Sequence, residues 1–301
     1  MAEEKEKPFT REDLLWAIEQ NGGKAEGLDL SGRRFEQGIN LRALKLEGII
    51  LEDAHLEDAH LEATLVGDYR KEAHFLGTHL EGSNLRGAHL EGADLKFAHL
   101  EGADLSYAHL KGADLSYGHL DGAYLAHVEV SPDIKLEHVH WGNYILGEEK
   151  DGDFDWAADS YTHLKQWYSS AGMYDIAGQF FFREMTARRK MLKWQSNPFP
   201  QAWSKFISVL CGYGEKWHRV IISAAVVVLG LALIYFAIGT LTPNTFLNSL
   251  YYSAVSFTAL GYGSWAPEPT GWVKGLGAFE AFVGVFMMAL FLVTFIRKMT
   301  R

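Results

Sequence analysis

An apolar residue recurs every five positions from Phe75 through Leu80, Leu85 and Leu90 to Leu125. A small residue sits two places ahead of each, as at Ala88, Ala93, Ala98 and Ala103. An earlier block, Leu41, Leu46, Leu51, Leu56 and Leu61, keeps the period in another register. Between the blocks, LEATLVGDYRKEAHF breaks the phase, which predicts a bulge or loop near Val66 to Lys71. A period of five matches neither the 3.6 of a helix nor the 2 of a strand. It requires a short straight piece and then a corner, over and over.

The unit A-(D/N)-L-x-x, as in AHLEGADLKFAHLEGADLSYAHL, resembles the pentapeptide-repeat family over residues 28–130. The resemblance implies a right-handed, four-sided β-helix with the Leu and the small residue inside and four repeats per coil. Five coils at strand spacing make a rod of about 24 Å. Each coil buries its Leu face only on a neighbour, so both ends need caps. Residues 1–27 supply one candidate cap, a helix over TREDLLWAIEQ with Thr10 at its start.

Histidines precede the central position at His55, His60, His74, His79, His89, His99, His109 and His119. On a 20-residue coil, His79, His99 and His119 stack on one face, and His89 and His109 on the opposite one. A metal ladder or pH sensor is one reading. Solvated outward positions are the other, and the expectation here, because the sequence shows no carboxylate or Cys completing a ligand set.

Charge divides the chain. Residues 1–150 hold 15 Lys and Arg against 29 Asp and Glu, whereas residues 151–301 hold 13 against 9. The acidic half argues against nucleic-acid binding through phosphate contacts. An acidic rod also resembles pentapeptide proteins that mimic DNA to block topoisomerases, a competing function. The lone Cys211 excludes an intrachain disulfide. The amino terminus lacks the apolar core of a signal peptide, so the first half is expected in the cytosol.

Residues 131–200 read as a helical-hairpin connector, with helices over Asp155 to Ser169 and Tyr174 to Trp194 turning at Gly172. The pair resembles a tetratricopeptide-type hairpin. Arg183, Arg188, Arg189, Lys190 and Lys193 make its end basic, a candidate contact for anionic lipid or a neighbouring acidic rod. Asp151, Asp153 and Asp155 start like a calcium loop, but Trp156 and Thr162 stand where Gly and Glu are needed. In residues 201–216, Trp203, Phe206, Ile207 and Leu210 form one apolar stripe, expected to lie on the inner leaflet. Gly212-Tyr213-Gly214 reads as a bend into the bilayer.

Residues 217–301 hold two apolar runs. Val220 to Ile238 is free of charge and spans about 28 Å as a helix. Leu276 to Ile296 ends in Arg297, Lys298 and Arg301, while the loop between the runs carries one basic residue, Lys274. The positive-inside rule puts both termini in the cytosol. Within the loop, PNTFLNSLYYSAVSF predicts a short helix, followed by Thr258-Ala259-Leu260-Gly261-Tyr262-Gly263.

This region resembles two-transmembrane-helix tetrameric potassium channels of the pore-loop ion channel family. The resemblance implies a filter of backbone carbonyls from Thr258 to Gly263, with the potassium ion as permeant species and no cofactor. It assigns Tyr251 and Tyr252 to bracing the filter and Gly284 to a hinge. Ala259 stands where the family has Thr, and Ser264 where it has Asp. Glu280, a carboxylate at membrane depth, is expected to hydrogen-bond the back of the pore helix as filter support. Met287, Met288, Phe291, Thr294 and Phe295 are expected to supply the inner cavity and gate.

These readings combine into a multi-domain membrane protein: β-helix, α-helical hairpin, and an all-α two-span pore domain with a re-entrant loop. The expected function is a homotetrameric, potassium-selective cation channel in a prokaryotic plasma membrane, with a cytosolic rod for docking other proteins. Alternatives are a weakly selective cation channel and a membrane-anchored scaffold or DNA mimic. No P-loop, nucleophile elbow or zinc spacing points to an enzyme.

Overall fold

The computed structural model describes residues 7–42, 44–62, 64–66, 69–71, 74–192, 198–239, 241–261 and 271–299. They fall in two compact units, Met1–Met191 and Leu192–Arg301.

The first unit opens with α1 (Arg11–Gln20). Thr10 caps it: the Asp13 N–H donates to the Thr10 hydroxyl at 3.2 Å, and the Thr10 N–H donates to the Asp13 carboxylate at 2.9 Å. Leu14 is buried among the first core residues of the repeat, and Phe9 bridges Phe35, so this segment closes one end of the coil.

The five-residue period becomes a coil of 20 residues. His79 bridges His99, Asn84 bridges Asp104, His89 bridges His109 and Asp94 bridges Asp114, all in parallel, one bridge per side of a four-sided β-helix. Each bridge is a single residue rather than an extended strand, because a corner follows after two or three residues. Two backbone bonds hold a bridge: the Leu80 N–H donates to His99 O at 2.7 Å, and the His99 N–H donates to Thr78 O at 2.9 Å. The Leu and the small residue point inward, and Leu85, Leu100, Leu105, Ala88 and Ala103 are fully buried. Each buried Leu contributes about 1.5–3 kcal/mol. Where the small residue is polar it is satisfied: the Thr78 hydroxyl donates to Leu46 O and that of Ser83 to Leu80 O. Corners take positive φ, at Gly82 (64°) but also at Tyr107 (62°) and Tyr117 (61°). A non-glycine corner costs about 1–2 kcal/mol. Ring contacts offset part of this, with Tyr107 stacked on His127 at 4.3 Å and Phe97 on Tyr117 at 5.2 Å.

The phase break is a hairpin. Strands β1 (Thr64–Val66) and β2 (Tyr69–Lys71) pair antiparallel. They lie within a coil whose bridges, Lys45 to His74 and Ile50 to His79, span 29 residues instead of 20. The repeat also runs further than the expected boundary at residue 130. Asp114 bridges Lys135 and His119 bridges His140, a coil of 21 residues in which Leu136 and Trp141 are buried like the repeat leucines. Ser131-Pro132 adds one residue at a corner without ending the ladder.

Helix α2 (Gly147–Asp151) and the hairpin of α3 (Phe154–Ser170) and α4 (Tyr174–Met191) cover the other end. Trp141 donates to the Tyr168 hydroxyl at 2.7 Å, which donates to Leu136 O at 2.8 Å. Phe180 packs edge-on to Trp141 at 5.2 Å. Glu148 accepts from the Leu125 N–H at 2.6 Å, and burial pushes its carboxyl above the usual range. The basic end of the hairpin is engaged within the unit. Lys190 donates to Glu149 and Arg188 to Glu184, both at 2.9 Å, while Arg183 lies 3.9 Å from Glu149. Lys193 lies outside the described residues.

The second unit is all helical. Helix α5 (Pro198–Cys211) leads through a tight turn at Gly212–Gly214 into α6 (Trp217–Ile238). Trp203 and Phe206 are exposed on α5, whereas Leu210 is buried with Val220 of α6. A short α7 (Phe246–Thr258) and a long α8 (Val273–Met299) follow. α6 has mean hydropathy 2.8, and α8 over Val273–Ile296 has 2.3. Only 11% and 22% of their most apolar windows are buried, so neither is the core helix of a soluble domain.

Candidate functional site

Helix α7 is built to start and stop sharply. Thr245 caps it, accepting from the Asn248 N–H at 3.2 Å. Its last turn carries the Thr258 hydroxyl, which donates back to Ala254 O at 2.8 Å. The chain leaves the helix through Ala259, whose φ of 53° is left-handed, and Gly261 follows at 87°. Leu260 between them is 82% exposed. Tyr262, Gly263 and Ser264 lie outside the described residues.

α7 packs on both long helices. Tyr252 is buried, its ring edge-on to Tyr235 of α6 at 5.0 Å, while the adjacent Tyr251 is exposed. Glu280 of α8 is fully buried in the chain. Its carboxylate accepts from the Tyr235 hydroxyl at 2.9 Å and from the Ser253 hydroxyl of α7. The Ser253 hydroxyl also reaches Val228 O at 2.9 Å, so α6, α7 and α8 meet at one polar knot. The partners Tyr235 and Ser253 were not singled out by the sequence. A Tyr near the end of an otherwise apolar span was the available signal.

Gly284 lies one helical turn beyond Glu280, inside the uninterrupted α8. A Cβ there would collide with the Phe257 carbonyl oxygen at the end of α7. The glycine thus has a packing reason as well as any flexibility it brings.

The expected cavity residues divide by helical phase. Met287 and Thr294 are buried and Phe291 is half-buried, on the face of α8 that carries Glu280 and Gly284. Phe291 and Phe295 stack on each other at 5.5 Å and meet Trp217 of α6 at 6.2 and 5.8 Å. These four therefore pack within the chain rather than toward an open cavity, and only Met288 is exposed. The sequence placed all five at the right depth but carried no information on rotation about the axis. Phe282, Val285, Phe286, Leu292 and Val293 occupy the open face instead.

A family model described as an ion channel matches residues 212–301, and one for pentapeptide repeats, in eight copies, matches residues 71–102 and 93–129. No curated protein matches the chain. Three solved structures are similar to part of it. A pentapeptide repeat protein of the Arabidopsis thaliana thylakoid lumen is 26% identical over 34% of this chain and 64% of its own, with TM-score 0.19. The chain thus spans less than two thirds of that protein. The pentapeptide repeat protein Rfr23 from the cyanobacterium Cyanothece 51142 is 23% identical over 44% of this chain and 95% of its own, with TM-score 0.26. QnrB1, a plasmid-mediated fluoroquinolone resistance protein, is 20% identical over 38% of this chain and 61% of its own, with TM-score 0.22. The two family matches fall on the two units separately, and the chain joins pentapeptide repeats to a carboxy-terminal domain of the ion-channel family.

Proposed function

We propose that four copies of this chain form a potassium-selective channel through the bilayer. The observation that carries the reading is α7, a short capped helix held between two spanning helices and ending at Thr258-Ala259-Leu260-Gly261. In this reading, backbone carbonyls from Thr258 to Gly263 replace the hydration shell of a potassium ion. One loop supplies one strand of such a filter, so closure needs four chains about an axis. Glu280 acts as the strut that fixes α7, with Tyr252 bracing from the same side. Met288 and the open face of α8 line the inner cavity. Gly284 lets α8 pack closely on the end of α7 and serves as the hinge. The right-handed β-helix lies in the cytosol of a prokaryote with both termini, as a docking platform or scaffold.

Flux from liposomes containing the purified protein, with potassium and sodium compared, tests this. Potassium efflux well above sodium efflux is expected, and no flux of either ion overturns the channel reading in favour of an anchored scaffold. Equal fluxes would support a weakly selective cation channel, the reading favoured by Ala259, which brings no hydroxyl to the inner end of the filter.

A further inference from the structure

The outward histidines do not stand alone. In the repeat A-H-L-E-G a glutamate follows each of several histidines by two residues, and the coil brings it beside the next imidazole. His79, His99 and His119 stack face to face, with centroids 4.6 and 4.8 Å apart and planes within 11°. The Glu81 carboxylate lies 2.9 Å from Nδ1 of His79 and 3.8 Å from Nδ1 of His99. Glu101 repeats the arrangement one coil on, 3.5 Å from His99 and 3.6 Å from His119. The absence of a carboxylate from the ligand set, expected from the sequence, is thereby corrected. Spacing along the chain conceals a ligand that arrives from the neighbouring coil.

We propose that His79, Glu81, His99, Glu101 and His119 form a composite site for one divalent transition-metal ion of the zinc class. In each of the triads His79-Glu81-His99 and His99-Glu101-His119, the ligand atoms lie within 4.8 Å of one another. Bridges pin the backbone beneath all three histidines, so the rings are held before any ion arrives. The second carboxylate oxygens of Glu81 and Glu101 are buried and make no hydrogen bond, leaving acceptor capacity for a cation. Two imidazoles and one carboxylate form a set known for zinc, with a fourth position open to water. Calcium and magnesium prefer all-oxygen shells. Nδ1 of His99 faces both carboxylates and ligates one ion at a time, so the two triads share a single ion.

The opposite face supplies an internal control. His60, His89 and His109 stack at 4.8 and 4.7 Å, but Arg42 pairs with Glu62 and reaches Nδ1 of His60 at 3.2 Å. A guanidinium already occupies the place of a cation there. Among the described residues, no ligand triad converges on that face.

Equilibrium dialysis of the full-length protein in detergent against zinc chloride tests the site. One zinc per chain is expected for the unaltered protein and for His89→Ala. His99→Ala should weaken binding by about tenfold or more. Glu81→Gln leaves one triad intact and should keep one zinc per chain at roughly half the affinity. The double variant Glu81→Gln, Glu101→Gln should lose the ion while keeping the melting temperature of the metal-free protein. No zinc bound, two ions per chain, unaltered binding by His99→Ala, or equal loss in His89→Ala would each overturn the proposal.

Discussion

A glycine and a carboxylate decide how α7 is held. Gly284 has no room for a side chain, because a Cβ would meet the backbone carbonyl of Phe257 and no side-chain change elsewhere relieves that contact. Gly284→Ala is expected to force α8 away from α7 and to destabilise the purified protein by about 1–3 kcal/mol. Thermal unfolding in detergent reads this directly. A variant with altered open probability and unchanged melting temperature would show that the glycine acts as a hinge alone. Both residues were visible in the sequence, Glu280 as the one carboxylate in an apolar run and Gly284 by its place in the family pattern. Their partners were not visible, since Ser253, Tyr235 and Phe257 lie 27 to 45 residues from them in sequence and become neighbours only through packing.

The coil, by contrast, was largely legible, because its contacts recur at a fixed local period. The two failures occurred where an insertion changed the phase, at the hairpin and at Ser131-Pro132. The ladder tolerates both, since each bridge needs only two backbone bonds and each insertion sits at a corner. The coil holding the hairpin spans nine residues more than the usual 20. Deleting nine residues, 64–72, should therefore leave every leucine facing inward and the melting transition cooperative. Deleting eight should turn one block of leucines outward, with lower yield and a broadened transition in circular dichroism.

At the end of the coil, burial holds the Glu148 carboxyl above its ordinary range. The folded state therefore favours the protonated form. Glu148 contributes its full stability below the unfolded carboxyl pKa, and that contribution is lost as pH rises through the higher folded value. Glu148→Gln keeps an acceptor for the Leu125 N–H and removes the charge. It should raise the melting temperature at pH 8 and have little effect below about pH 4. A uniform change at both pH values would show that the carboxyl is not desolvated.

The two units pose different problems of surface. The coil ends are closed within the chain, by α1 on one side and the aromatic hairpin on the other. The helical unit closes only one side of α8. At 100° per residue, the packed positions Glu280, Gly284, Met287, Phe291 and Thr294 fill about half the circumference. Phe279, Phe282, Val285, Phe286, Val293 and Ile296 fill the other half and are exposed. Lipid satisfies an apolar face, but it does not line an aqueous path for ions. A face this broad is divided between bilayer, neighbouring chains and the conduction axis only in an assembly. A single α7 end, with its one strand of carbonyls, likewise encloses nothing. The protein in nanodiscs should therefore have the mass of four chains by light scattering corrected for lipid. Phe282→Glu, which places a charge on the open face, should reduce the tetramer fraction without unfolding the α6–α7–α8 unit, judged by retained helical circular dichroism. A stable dimer or monomer that still passes potassium would contradict fourfold closure, because neither arrangement surrounds an ion with filter carbonyls.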